Sequence, residues 1–432
     1  MHGQRGVDRA PGGPEFLRIA LLAYRGKPHC GGQGVYVRHL SRALVDLGHE
    51  VQVLAGQPYP VLDERVPLVE LPSLDIYNDH FPGRMPGFWE LKSLGDFVEV
   101  TAFSAGTFPE PLAFSVRAWQ HLRRRLDAFD LVHDNQSLGY GLLAVQRAGL
   151  PILATVHHPI TVDRRLEMEH ADSVVQRITK ARWYGFTKMQ GRVARRLPRI
   201  VTVSESSRED IIRDHDIPPD RIHVVPVGVD PDLFRPLPEV ARRPGRIITT
   251  ASADVAMKGL AYLLEAVAKL RTERDVELVV IGKPKERGRA DRTLKELGLA
   301  DVVQFISGVT DDEIVELYAS AEVAVVPSLY EGFSLPAVEA MASGVPLIAT
   351  TGGALPEVAG IDGDTALLVE PGDSEALAAV IRRALDDPEL RARVGAAGRE
   401  RVITRWSWHR TAEITLEHYR SVLVERAPGM VG

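Results

Sequence analysis

Short apolar runs alternate along this chain with segments whose apolar residues recur every three or four positions, and the rhythm repeats in the second half. Leu17–Ala23 is a continuous apolar run, which predicts a strand buried on both faces; Val37, Leu40, Leu44 and Leu47 then share one face of a helix. Gly48 ends that helix before a second strand, Glu50–Leu54. Further strands are predicted at Leu131–His133, Ile152–Val156, Ile200–Val203 and Ile222–Val225. The second half predicts strands at Ile247–Thr250, Glu277–Ile281, Val302–Phe305, Val323–Val326, Leu347–Ala349 and Ala366–Val369, with a helical stripe at Leu260, Leu263, Leu264 and Val267. Strands alternating with helices predict parallel sheets covered on both faces. Between the halves, Pro226–Pro238 is rich in proline and suits a linker.

Size and composition narrow the class. At 432 residues the chain is too long for one ordinary core, so two domains are expected. Its 45% hydrophobic and 25% charged residues are those of a soluble globular protein, and no apolar run reaches the length of a membrane span. Residues 1–15 are polar and rich in Gly and Pro, which predicts a disordered tail and not a signal peptide. One cysteine, Cys30, excludes an internal disulfide framework and suits a reducing, cytoplasmic compartment. The net charge of −6 argues against general nucleic-acid binding. That charge is uneven: residues 1–235 carry 29 Lys and Arg against 28 Asp and Glu, residues 236–432 carry 23 against 30.

Candidate chemistry concentrates in Glu331-Gly-Phe-Ser-Leu-Pro-Ala-Val-Glu339. Gly332 and Pro336 punctuate the stretch, and Ser334 is expected to N-cap a helix running through Ala337–Ala342. Glu331 then falls on the loop before the helix and Glu339 inside it. Amides without acceptors at a helix N-terminus, together with the helix dipole, attract an anion. Carboxylates flanking such a cradle suit a ligand with hydroxyls at both ends and phosphate between them, which is the layout of a nucleotide-sugar. Two solvated acids at an ordinary helix start would read the same way, so the context decides.

That context is Gly344-Val-Pro-Leu-Ile-Ala-Thr-Thr-Gly-Gly-Ala-Leu-Pro-Glu-Val358. With Glu331 and Glu339 it resembles the donor-site signature of retaining GT-B glycosyltransferases of family four, the glycosyl transferases group 1. The resemblance covers most of the chain and is strongest over 245–360. It implies an α/β fold of GT-B architecture, two doubly wound (Rossmann-like) parallel-sheet domains facing a central cleft. The domains expected are an acceptor-side domain over 16–235, a nucleotide-sugar donor domain over 236–405, and a C-terminal helix over 406–432 crossing back to the first. The implied reaction moves a hexose from a UDP- or GDP-linked sugar to a hydroxyl acceptor with retention of configuration, using no cofactor and no metal.

By the same resemblance Glu331 positions the transferred sugar, Glu339 holds the ribose, and the amides of Phe333, Ser334 and Leu335 hold the diphosphate. Lys258, in Ala253-Asp-Val-Ala-Met-Lys-Gly259, is placed to neutralise the departing phosphate. His157, in Ala154-Thr-Val-His-His-Pro159, is expected to contact the sugar, and His158 to face away. Gly32 and Gly34, in Gly31-Gly-Gln-Gly34, line the donor–acceptor junction, and Gly282 fits the phosphate-side loop. Glu205 and Arg208 match a further family region of lesser weight. Two positions depart from the family: Ala253 stands where an Arg is usual, and Val227 where an Asn is usual.

Other classes fit less well. The absent Arg suits a non-catalytic nucleotide-sugar-binding module of the same fold, which is the alternative reading. A nicotinamide-dependent oxidoreductase is disfavoured, because Val37 stands three positions after Gly34 and the second strand ends in Ala55-Gly-Gln57 with no acid for a ribose. Residues for a pyridoxal site, as in a phosphorylase, are not apparent. Asp214-His-Asp216 and Asp362-Gly-Asp364 read as turns and not as metal ligands. Residues 60–115, with Tyr77, Phe81, Phe88, Trp89 and Phe108, lack periodicity and predict a long irregular insertion, either an acceptor pocket or a packed surface loop. Over 178–198, Lys188, Arg192, Arg195 and Arg196 share one helical face, and Trp183, Phe186, Val193 and Leu197 another. With Arg123, Arg124 and Arg125 this is either a peripheral contact with the inner face of the cytoplasmic membrane or an ordinary half-buried helix. The expected partners are a nucleotide-sugar donor and a small-molecule, glycan or lipid-linked acceptor, with no nucleic acid.

Overall fold

Apolar runs far apart in sequence pair side by side, with helices taking each crossover, so the strands of both sheets lie parallel to their neighbours. The computed structural model describes residues 16–26, 32–76, 84–169, 171, 173–251, 256–283 and 288–426. Residues 1–15, Cys30, Gly31, Tyr77, Phe81, Ser252 and Ala253 lie outside them. The first sheet contains β1 (Arg18–Ala23), β2 (Glu50–Ala55), β3 (Leu68–Glu70), β4 (Leu131–Asn135), β5 (Ile152–Val156), β6 (Ile200–Thr202) and β7 (Ile222–Val224). Its order is β3-β2-β1-β4-β5-β6-β7. The second contains β8 (Arg246–Thr250), β9 (Glu277–Ile281), β10 (Val303–Ile306), β11 (Val323–Val326), β12 (Leu347–Thr350) and β13 (Leu367–Val369), in the order β10-β9-β8-β11-β12-β13.

The predicted strands are all present, with ends moved by one or two residues. The largest change is at β4, which continues past His133 through Asp134 and Asn135, all wholly buried. Strand β3 was not foreseen. The insertion over 60–115 is irregular only in its first part, where the described residues form β3 and a short turn at Phe88–Glu90; its later part holds the helix Leu94–Ser104 and the start of Glu110–Leu122. The first of these hides from a periodicity reading because its polarity is inverted. Leu94 and Phe97 are exposed, while Asp96 and Glu99 are buried and share the guanidinium of Arg117 at 2.6 Å each. Ser93 and Asp96 close its N-terminus as a capping box.

The segment over 178–198 is two helices, Val174–Trp183 and Phe186–Ala194, broken at Tyr184-Gly185. Phe186, Met189, Val193 and Leu197 lie in the core of the first domain, so the apolar side of the second helix is occupied by the protein itself, whereas the first helix buries no residue and exposes Val174, Val175 and Ile178. Among the described residues, no helix is long and apolar enough to cross a membrane. The last helix, Trp408–Arg426, returns to the first sheet: Trp408 stacks on His39 with ring centres 5.0 Å apart, and Glu425 pairs with Arg199 at 2.6 Å.

Candidate active site

In each sheet the strand order reverses at one point, and there the crossovers diverge and open a crevice at the carboxyl ends of the strands. The points are β1/β4 in the first sheet and β8/β11 in the second. The candidate residues follow these four strands. Gly32 opens the helix after β1, and Asn135 ends β4; Lys258 follows β8, and Glu331 follows β11.

Lys258 reaches Glu331 because the chain turns sharply behind it. Gly259 has φ +65°, and a Cβ there would lie 1.9 Å from the Pro327 carbonyl oxygen, so only glycine lets the two loops close this tightly. Lys258 Nζ donates to Glu331 Oε1 at 2.8 Å, and Ser328 Oγ donates to the same oxygen at 2.7 Å. The carboxylate is thus fixed by one oxygen, and Oε2 has no hydrogen-bond partner among the described residues.

Gly332 is the seam between the domains. A Cβ on it would stand 2.4 Å from the His157 carbonyl oxygen and 2.9 Å from His158 Cβ. Its own carbonyl accepts from Ser204 Oγ at 2.6 Å and Ser207 Oγ at 3.2 Å, both from the first domain. Ser204 at the same time caps the helix Glu205–His215. The Glu205 carboxylate is exposed and pairs with Arg208 at 3.4 Å. Neighbouring contacts tie the same edge, with Tyr330 Oη donating to Asp210 at 2.6 Å and Glu357 accepting from the amides of Glu205 and Ser206.

Ser334 stands at the N-cap position of the helix Leu335–Ala342 but does not cap it through its side chain. It is left-handed, with φ 87° and ψ 84°, and its buried hydroxyl has no partner among the described residues. Pro336 has no N–H and Val338 donates to the Ser334 carbonyl, so the hydroxyl stands beside the Leu335 and Ala337 amides, an arrangement that fits an anion. Phe333 and Leu335 offer only their amides, since Phe333 packs edge-on against Trp406 and Leu335 packs on the core. Glu339 lies one turn on. Burial, with Asp311 nearby, pushes its carboxyl up to about 7. Asp311 itself pairs with Arg38 of the first domain at 2.7 Å. Gly282 follows β9, and its amide donates to the Ile306 carbonyl at 2.7 Å, so that amide is not free for a phosphate. A Cβ on Gly32 would meet nothing within 4 Å, so that glycine borders open space.

On the first domain, His157 follows β5. Its Nε2 is 2.6 Å from Asn135 Oδ1, and Tyr36 stands edge-on with ring centres 4.7 Å apart. Burial, with His158 adjacent, lowers His157 to about 3, so its ring is neutral. His158 does not face away as expected. Burial opposes its charge, but Asp163, accepting at 2.9 Å, outweighs that and holds its pKa above the usual value; Lys258 and Glu331 are close enough to contribute. Beneath the site runs a chain that pattern reading missed. Tyr419 Oη is 2.6 Å from His133 Nδ1, His133 Nε2 is 2.6 Å from Thr155 Oγ1, and Thr155 Oγ1 is 3.2 Å from Tyr36 Oη. The available signal was His133-Asp-Asn135 itself, a polar run where a buried strand reaches its carboxyl end.

The first half of the chain, residues 30–233, matches the family model described as Glycosyltransferase Family 4. Residues 239–401 match that of Glycosyl transferases group 1. The MMP alpha-(1->4)-mannosyltransferase of Mycolicibacterium hassiacum is 52% identical over 413 residues, covering 95% of this chain and all of that protein. Among solved structures, sucrose-phosphate synthase from Thermosynechococcus elongatus superposes with a TM-score of 0.73 at 24% identity, over 95% of this chain and 100% of that one. HepE of Anabaena, solved with UDP and glucose, does so with a TM-score of 0.70 at 20% identity, over 94% and 100%. These two share the fold.

Proposed function

The chain belongs to glycosyltransferase family 4 and is a glycosyltransferase of GT-B fold; from that premise we propose transfer of mannose from a nucleotide diphosphate-mannose to a mannoside hydroxyl, forming an α-(1→4) bond. The sugar and linkage rest on the mannosyltransferase relative, and the mode of transfer on the site. We infer that configuration is retained by front-face attack. The bond from the anomeric carbon to the leaving phosphate oxygen breaks, the acceptor oxygen bonds the same face, and its proton passes to the departing diphosphate. Lys258, the Ser334 hydroxyl and the first-turn amides of Leu335–Ala342 meet the charge that develops on that diphosphate, so no metal is needed. Glu331 orients the sugar through Oε2, Glu339 takes the ribose hydroxyls, and His157 faces the hexose from the other domain.

The observation that carries the reading is the Lys258–Glu331 contact at 2.8 Å, one residue from a glycine seated on the His157 carbonyl. A cation for the leaving group, a carboxylate for the sugar and an acceptor-side histidine meet at one interdomain seam. We infer action in the cytoplasm. Membrane contact through 178–198 would fall to its first helix, where Ile178 is exposed, since the apolar face of the second is packed inside the protein.

The test supplies GDP-mannose, UDP-mannose, GDP-glucose and UDP-glucose with an α-mannoside acceptor, with and without EDTA, and reads nucleoside diphosphate release and the product's anomeric NMR signal. An α-(1→4) product from a mannose donor, unaffected by EDTA, is the expected result. A β-linked product would overturn retention. Tight donor binding without turnover on any acceptor would favour the non-catalytic module.

A further inference from the structure

His157 is held by a residue to which no role has been assigned. Asn135 ends β4, wholly buried, between the glycine-rich loop after β1 and the histidine after β5. Its amide orientation follows from its partners. Nδ2 lies 3.4 Å from the Gln33 carbonyl oxygen, which can only accept, so the nitrogen belongs on that side. Oδ1 is then the atom 2.6 Å from His157 Nε2. An amide oxygen only accepts, so Nε2 must carry the proton, and a neutral imidazole has no second proton for Nδ1. Nδ1 has no partner among the described residues, and the main-chain N–H of His157 is tied separately to Gln136 Oε1 at 2.7 Å.

We propose that Asn135 is a positioning residue: it locks His157 in the Nε2–H tautomer and so presents Nδ1 as an acceptor for a hydroxyl of the bound sugars. The inference rests on the transferase reading for its ligand, but the tautomer itself does not. The arrangement selects a hydroxyl that donates, and it requires an uncharged ring, because an imidazolium offers N–H at both positions. The groups facing His157 suit a neutral ring. Tyr36 on the helix Gly32–Asp46 is buried and pushed up to about 12, and His133 on β4 is buried and lowered to about 3. His158 next in the chain is turned to Asp163, with the Lys258–Glu331 pair of the second domain beyond it.

Asn135→Asp keeps the shape and the acceptor but adds a negative charge. That charge stabilises the imidazolium and raises the pKa of His157, so the acceptor atom is available only at higher pH. Two measurements test the proposal. Long-range proton–nitrogen NMR of histidine-labelled protein, with the His157 signals identified by their loss in His157→Gln, is expected to report the neutral Nε2–H form. It needs no turnover, so it stands even if the transferase assay fails. Second, kcat at saturating donor is expected to gain an acidic limb in Asn135→Asp, falling about tenfold per pH unit below the new pKa, with no such limb in the parent. An Nδ1–H tautomer or an imidazolium in the parent protein would overturn the proposal. A pH profile of Asn135→Asp parallel to that of the parent would also overturn it. If Asn135→Asp does not fold, the parent spectrum alone decides.

Discussion

The two walls of the cleft use different kinds of polar group. The second domain presents charge: Lys258 against Glu331, Glu339 beside Asp311, and the dipole end of a helix. Apart from His158, which is paired with Asp163, the first domain presents neutral groups: His157, Asn135, His133 and Thr155 on or just after its strands, and Tyr36 on the helix Gly32–Asp46. Burial lowers both His157 and His133 to about 3, so neither is charged at physiological pH. The division matches the ligand chemistry proposed above. A diphosphate needs fixed positive charge and unpaired amides, whereas sugar hydroxyls need donors and acceptors that stay uncharged in a dry site. On the proposed reading, net charge is a poor guide to where an anion sits. The proposed anion cradle lies in residues 236–432, the half with 30 acids against 23 bases. A few placed groups outweigh the sum.

If charge is the work of the second domain, its loss should dominate activity. Lys258→Ala and Glu331→Ala are each expected to lower kcat by about 10²–10³, with the melting temperature little changed. Because the two share one ion pair, the double variant should lose much less than the product of the single losses. Steady-state kinetics of the three proteins checks this, and fully multiplicative losses would mean that the pair does not act as a unit. The next largest effect is expected at the seam. In Gly332→Ala the new methyl meets the His157 carbonyl at 2.4 Å, and backbone must move on one side or the other. Shifting one wall against the other by a fraction of an ångström is expected to lower kcat by about 10- to 100-fold while donor binding, made on one wall, is largely kept. Parental kcat in that variant would show that the two walls need no fixed register.

The same contrast explains what could be read from the chain. Strands such as Glu277–Ile281 and Val323–Val326 were legible to the residue because buried parallel strands are uninterrupted apolar runs. Glu331, Glu339 and Lys258 could be named as candidates because the stretches that carry them resemble the family's donor-site signature, and the structure brings Lys258 and Glu331 together. The neutral wall was not legible. A reading that ends β4 at His133 treats Asp134 and Asn135 as the exit to solvent, when they carry the strand to the crevice fully buried. The inverted helix Leu94–Ser104 defeated periodicity for the same reason: buried polar groups satisfied by partners distant in sequence leave no local trace. Glu339 offers a smaller, graded test. Its carboxyl titrates near 7, so the carboxylate fraction grows as pH rises through that value. If the ionised form takes the ribose hydroxyls, donor KM should fall several-fold between about pH 6 and 8, by an amount set by a charge-assisted hydrogen bond. Glu339→Gln should flatten the dependence, and a donor KM that rises with pH would exclude this role.

The smallest effect on activity is expected from Tyr419→Phe, and it separates the walls most clearly. Tyr419 lies on the returning C-terminal helix, and its hydroxyl meets His133 Nδ1 at 2.6 Å with both side chains wholly buried. Removing the hydroxyl leaves a buried ring nitrogen without a partner, a loss of about 1–3 kcal/mol. For a domain of this size each kcal/mol lowers the melting temperature by roughly 2–4 °C. The reacting groups are not touched directly: Asn135 and Tyr36 flank the His157 ring, and Tyr419 reaches it only through His133, Thr155 and Tyr36. A drop of several degrees with kcat changed by less than about threefold is therefore expected, the reverse of the pattern for Lys258→Ala. A tenfold loss of kcat without a change in melting temperature would mean that the neutral chain from Tyr419 to Tyr36 acts in the reaction. The walls would then differ in the kind of polar group they use, but not in what depends on it.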